Sequence, residues 1–207
     1  MGSVLVPLLM SFFFKNSTFK HLPYLRAILI VSLVCDAAGY IVAINGFANN
    51  WIGNFFILGQ SLLLIKIFGE EFKEKRIALF ISVAYLIFFT VNIAFFQGWF
   101  MLNTASFILT CFIVSGYSLY YFYRLLSDMP VVYIHRLPML WLAFAVLLYH
   151  AGNFFLILAM PYFIDENGRG YSVLWSYVHN MLNITKNILF AIALWHSYQA
   201  TKSRTSL

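Results

Sequence analysis

Asp36 and Lys186 are the two residues of this chain whose types most invite a chemical reading. Each stands well inside a long apolar run, and the two carry opposite formal charge at similar depth. A single charge at the centre of a bilayer costs about 3 kcal/mol or more unless it is partnered. The two are therefore expected to meet as an ion pair, or through a shared hydrogen-bond network, wherever their helices adjoin. Such a pair can serve function or simply fix helix register.

Other polar side chains fall near the same level. Gln60, Thr110 and His150 stand mid-run, and Asn153, Asn183 and Asn187 lie within about one helical turn of that depth. A shared layer lets these groups satisfy one another, so the sequence predicts a buried polar core at the midplane. His150 and Asn153 are spaced i, i+3, and His179 and Asn183 i, i+4, so each pair shares a helix face. Two intramembrane histidines beside an acid are the raw material of a metal site or a proton relay. Only one carboxylate accompanies them, and no helix carries His-x-x-x-His, so hydrogen-bonded packing histidines are the favoured reading. Asn103, Ser106, Thr110 and Tyr117 form a small polar seam of the kind that lets helices pack closely.

Positioning these groups requires helices, and the last apolar run shows it best. From Trp175 to Trp195, at 100° per residue, Ser176, His179, Asn180, Asn183, Lys186 and Asn187 fall within an arc of roughly 120°. Such a helix can sit in a bilayer only with that stripe facing protein or water. Six further runs precede it: Met1–Phe14, short at about 21 Å of helix, then about Tyr24–Ile44, Trp51–Phe68, Ile77–Phe96, Phe100–Tyr123 and Pro138–Met160. The connections are Lys15–Pro23, Asn45–Asn50, the charged loop Gly69–Arg76, the turn Gln97-Gly98-Trp99, Leu125–Leu137 and the polar loop Tyr162–Tyr171, with Ser197–Leu207 as a tail. The expected fold class is all-α: one domain, residues 1–207, a polytopic bundle of seven transmembrane helices.

Composition agrees. Hydrophobic residues make up 62% of the chain and charged residues only 10%, where soluble domains carry roughly 25% charged. Cys35 and Cys111 both lie in apolar runs and imply no disulfide framework. Met1–Phe14 lacks a basic start and a small-residue cleavage site, which argues against a signal peptide. Of the 13 Lys and Arg residues, all but Arg169 and Lys186 fall to one side of the bundle. The positive-inside rule then places the N-terminus outside and the C-terminus in the cytoplasm. The net charge of +6 thus reports orientation rather than a nucleic-acid partner.

No connection exceeds about fifteen residues, so there is no room for a soluble catalytic or DNA-binding domain. P-loop, GxGxxG, paired CxxC and HExxH motifs are absent, so neither an enzyme nor a cofactor or metal site is expected. Asn16-Ser17-Thr18 and Asn183-Ile184-Thr185 match the glycosylation pattern by chance, one in a cytoplasmic loop and one inside a helix. A weak internal repeat pairs the run after Leu22-Pro23, with midpoint Asp36, with the run after Leu137-Pro138, with midpoint His150. It implies a parallel arrangement of three helices, one linker helix and three helices.

The basic loop after helix one, the Asn-rich turn at Asn45–Asn50, the Tyr120-Tyr121-Phe122 end of helix five, Leu137-Pro138, and Trp175, Asn183, Asn187 and Trp195 together resemble a family of uncharacterised bacterial seven-helix membrane proteins. That resemblance implies residence in the bacterial inner membrane and assigns no activity. The parallel repeat is also similar to sugar-exporting and opsin-type seven-helix proteins, and Lys186 is similar to the retinal-binding lysine of opsins. Leu182 stands one turn before Lys186 where an opsin would have Asp, Gln60 stands in place of a carboxylate counter-ion, and the Pro-Gln type of motif of sugar transporters is missing. The functional expectation is a non-enzymatic membrane protein that binds a small molecule or senses a signal through Asp36, Gln60, Thr110, His150, Asn153, His179, Asn183, Lys186 and Asn187, with a cytoplasmic signalling partner for output. The alternative is a small-solute or proton-coupled transporter.

Overall fold

The computed structural model describes residues 2–14, 17, 19–128, 133–163 and 169–205. Lys15, Asn16, Thr18 and the centre of the loop Tyr162–Tyr171 lie outside the described residues. Among the described residues seven α-helices follow one another: α1 (Leu5–Phe13, entered through a 3-10 turn at Gly2–Val4), α2 (Leu22–Ile44), α3 (Asn50–Glu71), α4 (Lys75–Asn92), α5 (Thr104–Asp128), α6 (Pro138–Phe163) and α7 (Arg169–Thr205). A π-helical stretch, Ile93–Gln97, extends α4. Among the described residues, five helices are long and apolar enough to cross a membrane: those spanning Leu22–Ile44, Asn50–Glu71, Lys75–Gln97, Thr104–Asp128 and Pro138–Ala159. The segment Gly2–Phe13 is apolar but shorter. α7 has the length and not the apolarity, because its amides, histidine and lysine dilute the run.

Several boundaries differ from the sequence expectation, each for a local reason. α3 runs on through Glu71 because Gly-Glu-Glu offers no breaker. The chain then reverses at Lys73, which adopts φ 61°. α5 begins at Thr104 instead of Phe100. Gly98 takes φ 71°, and Asn103 caps the helix by accepting the Ser106 N–H at 3.1 Å. The expected tail from Ser197 is helical to Thr205, since nothing between Trp195 and Arg204 interrupts a helix.

α1, α2, α3, α5, α6 and α7 close a ring in which each packs against the next and α7 returns to α1. α4 lies outside the ring against α3 and α5. It buries one face, Ala78, Tyr85, Phe89 and Asn92, and exposes Phe80, Ile87 and Phe88. Such a helix, apolar on its exposed face as well, suits a bilayer rather than water. Close approaches are set by small residues: a Cβ on Gly69 would stand 2.2 Å from Ala78 Cβ, and one on Gly152 2.6 Å from Leu182 Cδ1.

The two ends of the bundle differ. The end carrying Lys20, Lys73, Lys75, Arg76, Arg124 and Arg136 is filled by a large dry cluster that includes Leu25, Leu29, Phe68, Val114, Leu142, Phe190 and Leu194. The opposite end holds a smaller cluster around Ile57, Tyr85, Phe107, Cys111 and Ile157. Cys35 and Cys111 are both free thiols. At the basic end Glu71 receives Lys20 at 2.7 Å and His21 Nε2 at 2.9 Å, and Tyr24 donates to Glu70 at 2.8 Å, which ties the start of α2 to the end of α3.

Candidate functional site

The shared midplane layer resolves into separate local pairs. On the ring's interior, His150 is fully buried and its Nδ1 donates to the Val146 carbonyl at 2.8 Å. The neutral ring then keeps Nε2 as an acceptor, and the Gln60 amide reaches it at 3.3 Å. One turn along α6, Asn153 gives its amide to the Tyr149 carbonyl at 2.7 Å, and its Oδ1 accepts from His179 Nδ1 at 2.6 Å. These two bonds join α3 to α6 and α6 to α7. They place the histidines as packing groups, each with Nδ1 spent on an oxygen. Among the described residues no three of His, Cys, Asp and Glu come together as a metal set would require.

Thr110 belongs to a different assembly. Its hydroxyl lies 2.8 Å from Ser61 Oγ and 2.9 Å from the Tyr85 hydroxyl, with Ser61 and Tyr85 3.2 Å apart. Ser61 also reaches the Ile57 carbonyl at 2.5 Å and Thr110 the Ser106 carbonyl at 2.9 Å. If those two protons go to backbone oxygens, the Tyr85 proton remains for one of the two neighbouring hydroxyls, and that bond ties α4 to α3 or α5. Sequence reasoning passed over Ser61 and Tyr85. A lone tyrosine in the middle of the apolar α4 was the available signal.

Lys186 and Asp36 do not pair. Among the described residues no carboxylate comes within 4.0 Å of the Lys186 ammonium. It sits instead 4.0 Å from the centroid of Tyr149 and 5.7 Å from that of Phe56, and is only 2% exposed. α1 packs against both α2 and α7, and the Lys186 side chain turns to the rings of α3 and α6 that line the ring interior. Aromatic faces stabilise the cation instead. Asp36 is half-buried and has no hydrogen-bond partner among the described residues.

The stripe on α7 also divides. Lys186 and Asn187 are buried and His179 and Asn183 half-buried, whereas Ser176 and Asn180 are exposed on the outer surface. Asn187 turns away from the ring interior to donate to Ser3 Oγ at 2.9 Å, which holds the start of the chain to α7, and its Oδ1 has no partner among the described residues. In the α5 seam, Asn103, Ser106 and Thr110 are buried, and Tyr117 stacks on Phe68 at 5.6 Å. Asn103 joins Asn54 and Asn92: Asn54 Oδ1 accepts the Asn103 N–H at 2.9 Å, its amide donates to the Trp99 and Met101 carbonyls at 3.0 and 2.8 Å, and Asn92 donates to Asn103 Oδ1. This cluster shapes the turn between α4 and α5.

One cavity gathers what remains. About 150 Å³ in volume, it is lined by Ser32 and Asp36 of α2, Gly53, Phe56 and Ile57 of α3, Tyr149 of α6, and Trp175, His179 and Asn183 of α7, with Leu102 and Phe107 closing it. Trp175 stacks on His179 at 4.9 Å, and Tyr149 meets His179 at 5.8 Å. The cavity is thus an aromatic chamber with one carboxylate on its wall and an ammonium behind Tyr149 and Phe56. Of the residues expected in a single core, it brings Asp36, His179 and Asn183 together, and Lys186 lies against the rings of Tyr149 and Phe56, which belong to its lining. Gln60, Thr110, His150, Asn153 and Asn187 stand elsewhere. No protein-family model, no curated protein and no solved structure matches this chain.

Proposed function

We propose that this is a multi-pass protein of the bacterial cell membrane which acts without catalysis, binding a small ligand in the chamber beside Asp36. The observation that carries this reading is a carboxylate, without a hydrogen-bond or salt-bridge partner among the described residues, on the wall of a cavity built mostly from aromatic and aliphatic side chains with Ser32, His179 and Asn183 as its other polar groups. Pockets that bind small molecules have this make-up, with an apolar lining and few polar groups that set orientation. A cavity of about 150 Å³ accommodates a molecule of roughly benzene size. The occupant is therefore compact, with an apolar body and a donor or cationic group facing Asp36.

The orientation completes the proposal. With the basic end in the cytoplasm, the chamber lies in the outer half of the membrane, and the helical extension of α7 beyond Trp195 enters the cytoplasm, where a signalling partner could read it. Passage through the bundle, as a transporter requires, is opposed by the dry cluster of Leu142, Val146, Phe190 and Leu194 at the basic end. That packing favours sensing over transport.

The test is a thermal-shift screen of the detergent-purified protein against small amines and neutral metabolites. Ligands that stabilise the wild type should lose that effect in Asp36→Asn. Equal stabilisation of both would remove Asp36 from the site. A reporter active only outside the membrane, fused after Leu207, should be silent, and the same reporter inserted at 165–169 should be active.

A further inference from the structure

We infer that the outer face of α7 carries a binding site for an anionic phospholipid, with an acyl chain between α1 and α7 and a phosphate on Arg136. The site is independent of the chamber beside Asp36. An apolar groove of about 380 Å³ runs between the two helices, lined by Val6 and Met10 of α1 and by Ile188, Ala191, Ile192 and Trp195 of α7. Its deep end is at Ser3 and Asn187. From Asn187 to Trp195 the helix rises about 12 Å, most of the roughly 15 Å depth of one leaflet's hydrocarbon.

At Trp195 the groove meets a second cavity of about 480 Å³, lined by Arg136, Trp195, His196, Gln199 and Ala200. Here the lining turns polar and cationic. Arg124 is matched by Asp128 at 3.7 Å and Lys20 by Glu71 at 2.7 Å. Arg136 has no carboxylate within 4.0 Å among the described residues and rests 4.8 Å over the Tyr133 ring. Its guanidinium keeps free donors for a phosphate oxygen. The surrounding rings mark headgroup depth: Trp141 stacks on His196 at 5.9 Å and Phe14 on Tyr198 at 4.3 Å, a belt of the kind that sits at a membrane interface. An apolar slot that ends at the interface beneath an unmatched arginine has the polarity sequence of a phospholipid. The same sequence does not fit a soluble anion, which has no use for the slot.

Native mass spectrometry of the full chain, released from detergent in the presence of phosphatidylglycerol or phosphatidylcholine of equal chain length, tests the site. Wild type should bind phosphatidylglycerol about fivefold more tightly, the contribution of one interfacial arginine. Arg136→Gln should bring the two lipids level, and Arg136→Lys should keep much of the preference. Ala191→Phe, which fills the slot, should weaken both lipids together. Equal binding of the two lipids by wild type, or an unchanged preference in Arg136→Gln, would overturn the proposal. So would displacement of bound phosphatidylglycerol by millimolar inorganic phosphate, since that would mark a site for the soluble ion. Because Arg136 is exposed, its variants fold whether or not Ala191→Phe does.

Discussion

Two polar assemblies flank α3, and they are built on opposite terms. On one side Ser61, Tyr85 and Thr110 cluster within 3.2 Å of one another, and the Ser61 and Thr110 hydroxyls also reach the Ile57 and Ser106 carbonyls. On the other side Asp36 lines a cavity without a hydrogen-bond partner among the described residues, and Lys186 lies buried over rings with no described carboxylate within 4.0 Å. A satisfied buried network adds rigidity, whereas polar groups left unmatched cost stability and are kept where something else must meet them. The contrast separates matched from unmatched polarity more clearly than position along the helices does. Lys186 and Thr110 both stand mid-helix and meet different surroundings.

The comparison can be broken by substitutions on either side, read as thermal stability in detergent. As a reference outside both, Asn54→Leu in the amide cluster at the α4–α5 turn should have the largest effect, about 3 kcal/mol lost. It strands the Trp99 and Met101 carbonyls and the Asn103 N–H, all of which use this one side chain. Tyr85→Phe should cost about 1 kcal/mol, the usual worth of a buried hydrogen bond between membrane helices. Lys186→Met should be neutral or stabilising by up to about 1 kcal/mol, because it removes a buried charge that has no carboxylate while keeping the volume. A loss as large as that of Asn54→Leu would show that Lys186 is matched after all. Asp36→Asn should change stability least, by about 0.5 kcal/mol or less, and should still abolish the ligand-induced shift. If Tyr85→Phe were silent and Asp36→Asn strongly destabilising, the two assemblies would have to exchange roles.

Much of the architecture was legible in the residues. Runs of about twenty apolar residues separated by charged or Gly- and Asn-containing turns announce membrane-length helices without any knowledge of their neighbours, since each such helix satisfies its own backbone. Five of the helices meet that description outright, and the shortness of the first was plain from its length. Boundaries were less legible where a side chain from elsewhere decides them. Asn54 on α3 organises the turn before α5, and its partners lie some forty-five residues along the chain.

The candidate site divides along the same line. Composition and periodicity, taken alone, determined that Asp36, His150, His179 and Lys186 stand inside helices and must find polar or aromatic company, because hydrocarbon offers none. They could not determine which company. Depth along a helix is a local property, counted in residues from its ends, while adjacency depends on the order in which helices pack around the ring. Only the tertiary structure put α1 between α2 and α7, moved Lys186 from Asp36 to the ring of Tyr149, paired His179 with Asn153 and Gln60 with His150, and left Asp36 facing a cavity. The physical reason is that lipid-facing and protein-facing apolar residues look alike in sequence. With no amphipathic contrast to orient each helix, its rotation is set by contacts such as Gly152 against Leu182, which exist only once the helices have met.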